Sequence, residues 1–447
     1  MESLEAQIAE WRVYVERCRA VDGPDLDELE THLRDQIADL GEAGLDADEA
    51  FLVAVKRMGD VDALSREFAR EHSDRLWKQL VLTDGGEPER PANGLTEALV
   101  FALAAAVVIQ IARLIARFPS EEPTWFVRNA SLFVLPFLAW YFVRRRQLSL
   151  RSALVTTAPF LVAGLVINLY PWAPDSSTEL LVAAHLPVAL WFVVAYPYMG
   201  GTWRSHDRRM DFIRFSGEWS IYYALIAIGG VVLVALTAFI LEPVSADLAQ
   251  RVVETVLPSG AAGAVIVAAW LVEAKKDVVE NMAPVLAKVF TPLFAVMLVG
   301  AAITYALSWL GDEFDRDVLA VFDAMLVIVV GLVVYGISAR ESSQPAGLMD
   351  RIQLVTVASA LALDVMVLSA MVVRIGELGF TPNRAAAIGL NVVLLVNLAW
   401  AAVLSLRFIA GRAAFHRLER WQTTYLPVFA VWAAAVVVVL PPLFGFE

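Results

Sequence analysis

Two hydrophobic patterns divide the chain. Up to about residue 93, apolar positions recur three and four apart among many charges, as on helices that bury one face against each other. Beyond it, apolar residues gather into long runs at 95–117, 125–143, 152–170, 180–199, 219–241, 257–272, 289–309, 318–338, 352–373, 384–406 and 425–443. Most reach the seventeen or more residues needed to cross roughly 30 Å of hydrocarbon. The sixth is short and rich in Gly, Ala and Ser.

The first segment predicts four helices. Leu4, Ile8, Trp11, Val15 and Cys18 form an apolar stripe that requires partners. Pro24 and Asp25 start a second helix carrying Leu26, Leu29, Leu33, Ile37 and Leu40, which Gly41 and Gly44 end. Asp46 and Glu49 are spaced as a capping box for a third helix that stops at Gly59. Asp60 caps a fourth, through Leu64, Phe68, Leu76, Trp77 and Leu80. Such a bundle folds with a small core. Between Thr83 and Asn93, Gly85, Gly86, Pro88 and Pro91 break the periodicity and mark a linker. The expected division is a helical domain at 1–82, a linker at 83–93 and a membrane domain at 94–447.

The head also resembles a known module. Trp11-Arg12, DELETHLRDQIADL (27–40), GLDADEAFLVAVKRMGD (44–60) and EFAREH (67–72) keep their mutual spacing. Together they resemble the permease prefix domain, an alpha-helical signalling domain of the HAAS type. The resemblance implies a cytoplasmic, non-catalytic module fused to varied membrane segments and associated with PadR-like transcription regulators. It does not imply transport. A second resemblance, carried by the start GFTPNR (379–384) and the apolar hairpins before it, is to a multi-pass bacterial membrane family of unknown function; it brings no activity.

Charge orients these segments. Residues 1–93 carry 23 Asp and Glu against 11 Lys and Arg, while the other 354 carry 25 against 24, so the head holds nearly all of the net −13. An acidic head is repelled by nucleic acid and by anionic lipid, and suits a partner with a basic face; a merely soluble acidic domain reads equally well. With the head in the cytoplasm, the inner loops hold Arg144, Arg145, Arg146, Arg151, Arg204, Arg208, Arg209, Arg214, Lys275, Lys276, Lys288, Arg340, Arg351, Arg407, Arg412, Arg417 and Arg420, 17 in all. The outer loops hold only Arg251, Arg316, Arg374 and Arg384, beside the acidic runs SEEP (120–123) and GDEFDRD (311–317). This asymmetry predicts eleven spans with the C-terminus outside, and losing the sixth would invert every later loop. The expected fold class is therefore all-α, a small cytoplasmic helical bundle followed by a polytopic transmembrane bundle of about eleven spans in a bacterial plasma (inner) membrane. MESLEAQIAEW has neither a basic nor an apolar signal region, so no cleavable signal is expected.

Chemistry is sparse. Cys18 is the only cysteine, which rules out an internal disulfide or a thiolate cluster. His32, a turn from Glu28 and Asp35, offers a single imidazole and reads as a solvated helix face rather than a metal site. The pairs Gly200-Gly201 and Gly229-Gly230 and the run GAAG (260–263) precede no phosphate-loop Lys, and HExxH and GxSxG are absent. Small residues in membrane helices more often permit close packing. No catalytic set, cofactor site or metal site is expected. Trp125, Trp172, Trp203, Trp219, Trp309 and Trp421 fall near span ends, as interfacial belts do. Two amphipathic stretches, Leu248, Val252 and Val256 after Ser245, and Val278, Met282, Val285 and Val289 after Asp277, suit either interfacial helices or simple extensions of spans.

Polar residues inside spans draw the functional question, because each ionisable group at mid-depth costs roughly 2.5 to 3.5 kcal/mol on insertion scales. Arg113, Arg128, Asn129, Asn168, His185, Asp323 and Asn391 fall in the outer half, and Asp364 and Asn397 near the midplane. One reading is an outward-opening polar cavity narrowing to Asp364 and Asn397, with a protonated Asp364 donating to the Asn397 amide. The other is interhelical hydrogen bonding with Arg side chains reaching for the interface. The expected function is a sensor or regulatory protein that couples an external or membrane-embedded signal to a cytoplasmic partner such as a PadR-like regulator. A small-solute transporter with a regulatory head is the alternative. The lipid bilayer is the expected surroundings, a homo-oligomer is compatible with the sequence, and direct nucleic-acid binding is not expected.

Overall fold

The computed structural model describes residues 4–17, 23–42, 45–58, 94–117, 123–274, 282–308, 316–340 and 344–447. It forms two compact units, Met1–Ala92 and Asn93–Glu447, and no strand occurs among the described residues. Cys18, the fourth head helix, EFAREH, the linker, Lys275, Lys276, Val278, Trp309 and the acidic stretches 120–122 and 311–315 lie outside the described residues.

In the first unit α1 (Leu4–Arg17), α2 (Gly23–Glu42) and α3 (Ala47–Met58) pack together. Ile8 and Trp11 from α1, Leu33, Ile37 and Leu40 from α2, and Ala50, Phe51, Ala54 and Val55 from α3 close one core, with Trp11 fully buried. Leu4, Ile8 and Trp11 of the sequence stripe therefore face this core. Asp46 Oδ1 accepts from the Glu49 amide at 2.8 Å, supplying one half of the expected capping box. A charged seam joins α1 to α2. Arg34 grips both oxygens of Glu5 at 2.8 Å and reaches Glu30, which also pairs with Arg12. The Arg12 guanidinium, with that of Arg34 behind it, holds the Glu30 carboxyl below the usual carboxylate range against an opposing effect of burial. The Arg34 hydrogen bond does the same for Glu5.

In the second unit eleven helices among the described residues are long and apolar enough to cross a membrane. They lie in α4 (Gly94–Arg117), α5 (Pro123–Arg145), α6 (Leu150–Leu169), α7 (Ser177–Tyr198), α8 (His206–Leu241), α9 (Ala246–Ala274), α10 (Met282–Ser308), α11 (Arg316–Ser338), α12 (Leu348–Leu378), α13 (Pro382–Ile409) and α14 (His416–Val438). A short α15 (Leu440–Leu443) follows. Two cores divide them. Ala98, Leu138, Ile167, Leu186, Phe215 and Ile266 bring α4 to α9 together, and Leu298, Leu326, Leu363, Leu398 and Leu418 bring α10 to α14 together. The lobes join where α14 meets α7 and α8, and where α8 meets α11. At that second contact the Tyr335 ring lies on Gly217, and in the second lobe Trp432 lies on Gly389, where a methyl group would collide with either ring.

Contacts between chain-distant turns fix two ends of the bundle. Arg144 pairs with Glu97, Arg146 with Glu273, Arg214 donates to the Ser338 carbonyl, and Arg340 pairs with Asp350 beneath the rings of Phe408 and Phe415. These residues define a basic end. At the opposite end Arg113 pairs with Glu254, and Tyr170 donates to the Val438 carbonyl.

Several boundaries differ from the apolar runs. At 36 residues, α8 begins at His206 instead of 219, and α9 begins at Ala246 instead of 257. Hydropathy marks where hydrocarbon begins, whereas a helix continues as long as its polar side chains find partners. Arg209 does so, donating to the Trp203 and Thr423 carbonyls. Leu248, Val252 and Val256 are accordingly part of α9, and Met282, Val285 and Val289 part of α10, so both stretches extend spans rather than forming separate interfacial helices. The last span stops at Val438, short of 443, because Pro441 and Pro442 follow. Thr381 occupies the N-cap before Pro382 without a side-chain hydrogen bond. Of the small-residue motifs, Gly263 packs closely on Ala102 of α4, whereas Gly229, Gly230 and Gly260 face open space.

Two predictions follow from this packing. Gly217→Ala and Gly389→Ala should each cost about 1 to 3 kcal/mol by overpacking, lowering the melting temperature in detergent while Gly229→Ala leaves it unchanged; equal melting of all three would refute the ring contacts. Because the folded-state pKa of Glu30 is depressed, its contribution is present above the unfolded carboxyl pKa and is lost as pH falls through the folded value. Protection of α1 and α2 against hydrogen exchange, referred to the intrinsic rate at each pH, should therefore fall in acid, and Glu30→Gln should flatten that dependence. An unaltered acid response in Glu30→Gln would assign it to other groups.

Candidate functional site

The intramembrane polar residues fall into separate groups. Near the opposite end of the first lobe, Arg128 of α5 is buried and pairs with the buried Glu179 of α7, its guanidinium standing 5.1 Å from the centre of the Trp172 ring. Asn129 and Asn168 exchange amide hydrogen bonds at 2.7 and 3.1 Å, and Trp125 Nε1 donates to the same Asn168 oxygen. This group ties α5, α6 and α7 together. Glu179 escaped the sequence reading because Ser176 and Glu179 are spaced as an N-terminal cap, and Ser176 Oγ does accept from the Glu179 amide at 3.1 Å. The same spacing hides the counter-ion of Arg128. Phe446 packs against Tyr170 and Trp172 beside the group, and the Glu447 carbonyl accepts from the Thr178 amide.

Arg113 belongs elsewhere. It pairs with Glu254 at 3.5 Å next to Gln110, whose amide donates to Ser259 Oγ and the Thr255 carbonyl, joining α4 to α9. Gln110 and Ser259 also edge a shallow groove with Leu103, Val107, Ile111 and Leu114, but its apolar lining carries no reactive group and it lies in the other lobe from Asp323 and Asp364. His185 is half-buried and donates from Nδ1 to the Leu181 carbonyl one turn back on its own helix. It joins neither group.

The second lobe holds the remaining candidates. Asn391 of α13 donates at 2.8 Å to Asp323 of α11, and its nitrogen also approaches Met371 Sδ of α12 at 3.7 Å. Toward the basic end, Asn397 Nδ2 donates to Gln422 Oε1 of α14 at 3.0 Å, and Trp421 Nε1 donates to the Asn397 carbonyl. Asp364 of α12 is fully buried, and neither of its oxygens has a hydrogen-bond partner. The expected bond from Asp364 to Asn397 is not formed: the Asn397 amide turns its nitrogen to Gln422, and its oxygen and both Asp364 oxygens remain without a partner. Gln422 was missed: it lies six residues into α14, ahead of the run that starts at 425, where a glutamine passes for interfacial.

The Trp residues assigned to interfacial belts also bind within the protein. Trp219 donates to the Val265 carbonyl across α8 and α9, and Trp203 stacks on the Arg209 guanidinium. Interhelical bonds engage Arg113, Arg128, Asn129, Asn168, Asp323, Asn391 and Asn397, whereas His185 bonds within its own helix and neither oxygen of Asp364 has a hydrogen-bond partner. The chain matches no protein-family model, no curated protein and no solved structure.

Removing one member of the Arg128–Glu179 pair should strand a buried charge at about 3 to 5 kcal/mol. Arg128→Gln and Glu179→Gln should therefore each lower the melting temperature strongly, and the double variant should recover most of the loss. A double variant whose destabilisation equals the sum of the two would show that the groups act independently.

Proposed function

We propose that the protein is a membrane sensor or regulator that conveys a signal received in the eleven-helix unit to a partner bound by the acidic head. The observation that carries this reading is the pairing of two units of opposite character. One is a small helical bundle with an acidic surface, and the other is an apolar bundle tied by interhelical polar pairs, in which the fully buried carboxylate of Asp364 has no hydrogen-bond partner on either oxygen. The concentration of Arg at one end of the bundle supports placing that end and the N-terminus in the cytoplasm of a bacterial inner membrane, with the C-terminus outside. The similarity of the head to the permease prefix domain supports a PadR-like regulator as the partner. Asp364 also suits a second reading, a solute transporter regulated by the head, since transporters place coupling sites at mid-depth.

The test uses the full chain in lipid nanodiscs and the PadR-like regulators of the same organism. One of them should bind, and Asp35→Lys, Asp39→Lys and Glu49→Lys on the exposed head surface should together weaken it by at least about tenfold through charge reversal. Absence of binding by all of them, or undiminished binding by the reversed head, would reject the reading. Reporter fusions after Arg145, Arg208 and Arg417 should read cytoplasmic and a fusion after Asp175 external; the inverse pattern would overturn the orientation.

A further inference from the structure

The region around Asp364 contains more acceptors than donors. Asp364 Oδ1 and Oδ2, Asn391 Oδ1 and Asn397 Oδ1 are buried without a partner, and Gln422 Nε2 is the donor left over beside them. Asp364, Asn391 and Asn397 are fully buried, and Gln422 is nearly so. Interchanging oxygen and nitrogen in the Asn397 and Gln422 amides changes nothing, since their mutual bond leaves one of each over in either orientation. The orientation of Asn391 is set by donation to Asp323 Oδ1. Closed away from solvent, such a set is stable only if something brings hydrogen or positive charge into it.

Their placement favours a proton with bridging water. Asn391 meets Met371 of α12, and Asp364 lies seven residues nearer the basic end on that helix, roughly 10 Å at the α-helical rise. Asn397 lies six residues beyond Asn391 in the same direction, roughly 9 Å, and so is level with Asp364. Acceptors spread over such a length do not converge on one cation, whereas waters can link them in sequence. Thr423, the residue after Gln422 on α14, is also buried, and bridging water must span the gap from Gln422 to its hydroxyl, which lies 2.8 Å from Nδ1 of His206 at the exposed start of α8. Arg209 donates to the Thr423 carbonyl beside it. Of the helices packed against α12, α11 contributes Asp323, close enough for its charge to bear on Asp364. At this end of the acceptor set α10 contributes Tyr305, edge-on to Phe322, and α13 contributes the two Asn amides.

We infer that Asp364 is an exchangeable proton site, served from the basic end through Gln422, Thr423 and His206 with bridging water, and that proton activity is the signal the membrane unit receives. The proton enters from hydronium at the His206 end, forms an O–H bond on the Asp364 carboxylate and leaves by the same route. This inference rests on the sensor reading and names its signal.

The experiment treats the full chain in phospholipid vesicles with dicyclohexylcarbodiimide, an apolar reagent that requires a protonated carboxyl, and locates the adduct by mass spectrometry. Asp364 should be modified in mildly acidic medium, modification should be lost in alkaline medium, and replacing choline by sodium should not protect it. Absence of the adduct at every pH in folded protein overturns the inference. Protection by sodium and not by choline also overturns it, by assigning the site to a cation. Infrared difference spectra supply a second readout, in which the acid-induced carboxyl band should disappear in Asp364→Asn and persist in Asp323→Asn. A band retained in Asp364→Asn places the proton elsewhere and contradicts the inference. Binding of the head to its regulator is measured separately, so failure of the proton site and failure of the sensor reading give different results.

Discussion

Hydrocarbon offers a polar group no partner, so a side chain buried among these helices is bound to whatever its neighbours present. This constraint explains why the polar residues of the membrane unit come in interhelical pairs. Arg128 and Glu179 fix α5 against α7, Asn391 and Asp323 fix α13 against α11, and Asn397 and Gln422 fix α13 against α14. Apolar packing gives each lobe its bulk, but lipid competes for apolar surface almost as well as another helix does, so small residues and polar pairs decide which helices become neighbours. Gly217 beneath Tyr335 and Gly389 beneath Trp432 serve the same end by close approach.

Against that background Asp364 stands apart. Neither of its oxygens receives a hydrogen bond, so its burial is a cost that packing alone does not offset. A proton supplied from the end where His206 meets solvent resolves it. The head poses a different electrostatic problem, since Arg12 and Arg34 bridge α1 and α2 through Glu5 and Glu30 in contact with water, where each pair contributes little. Its stability rests chiefly on the core around Trp11 and Phe51.

The sequence made one dimension of this architecture legible. Spacing alone identified Ile8, Trp11, Leu33 and Ile37 as a core, and run length, with loop charge retaining the short sixth run, identified eleven helices long and apolar enough to cross a membrane. Apolar runs report depth along the membrane normal, and depths read from them set Asp364 level with Asn397. They do not report azimuth. Which way Asn397 points depends on α14 lying beside α13, and Glu179 became the partner of Arg128 because α7 packs on α5. Helix ends were misjudged at 219 and 257 for a related reason, since the charged turns of α8 find carbonyl partners that no local signal announces.

The account's central claim is that protonation within the membrane unit alters the head. Hydrogen exchange in α1, α2 and α3 of the full chain tests it in sealed vesicles, with the pH on the far side clamped and the pH on the head's side, where His206 meets solvent, stepped downward. The account predicts that the change in protection of these helices after the step differs between the wild-type chain and Asp364→Asn, the difference being the part that the membrane proton site transmits. Unchanged exchange in the wild type, or an equal response in the variant, would contradict it.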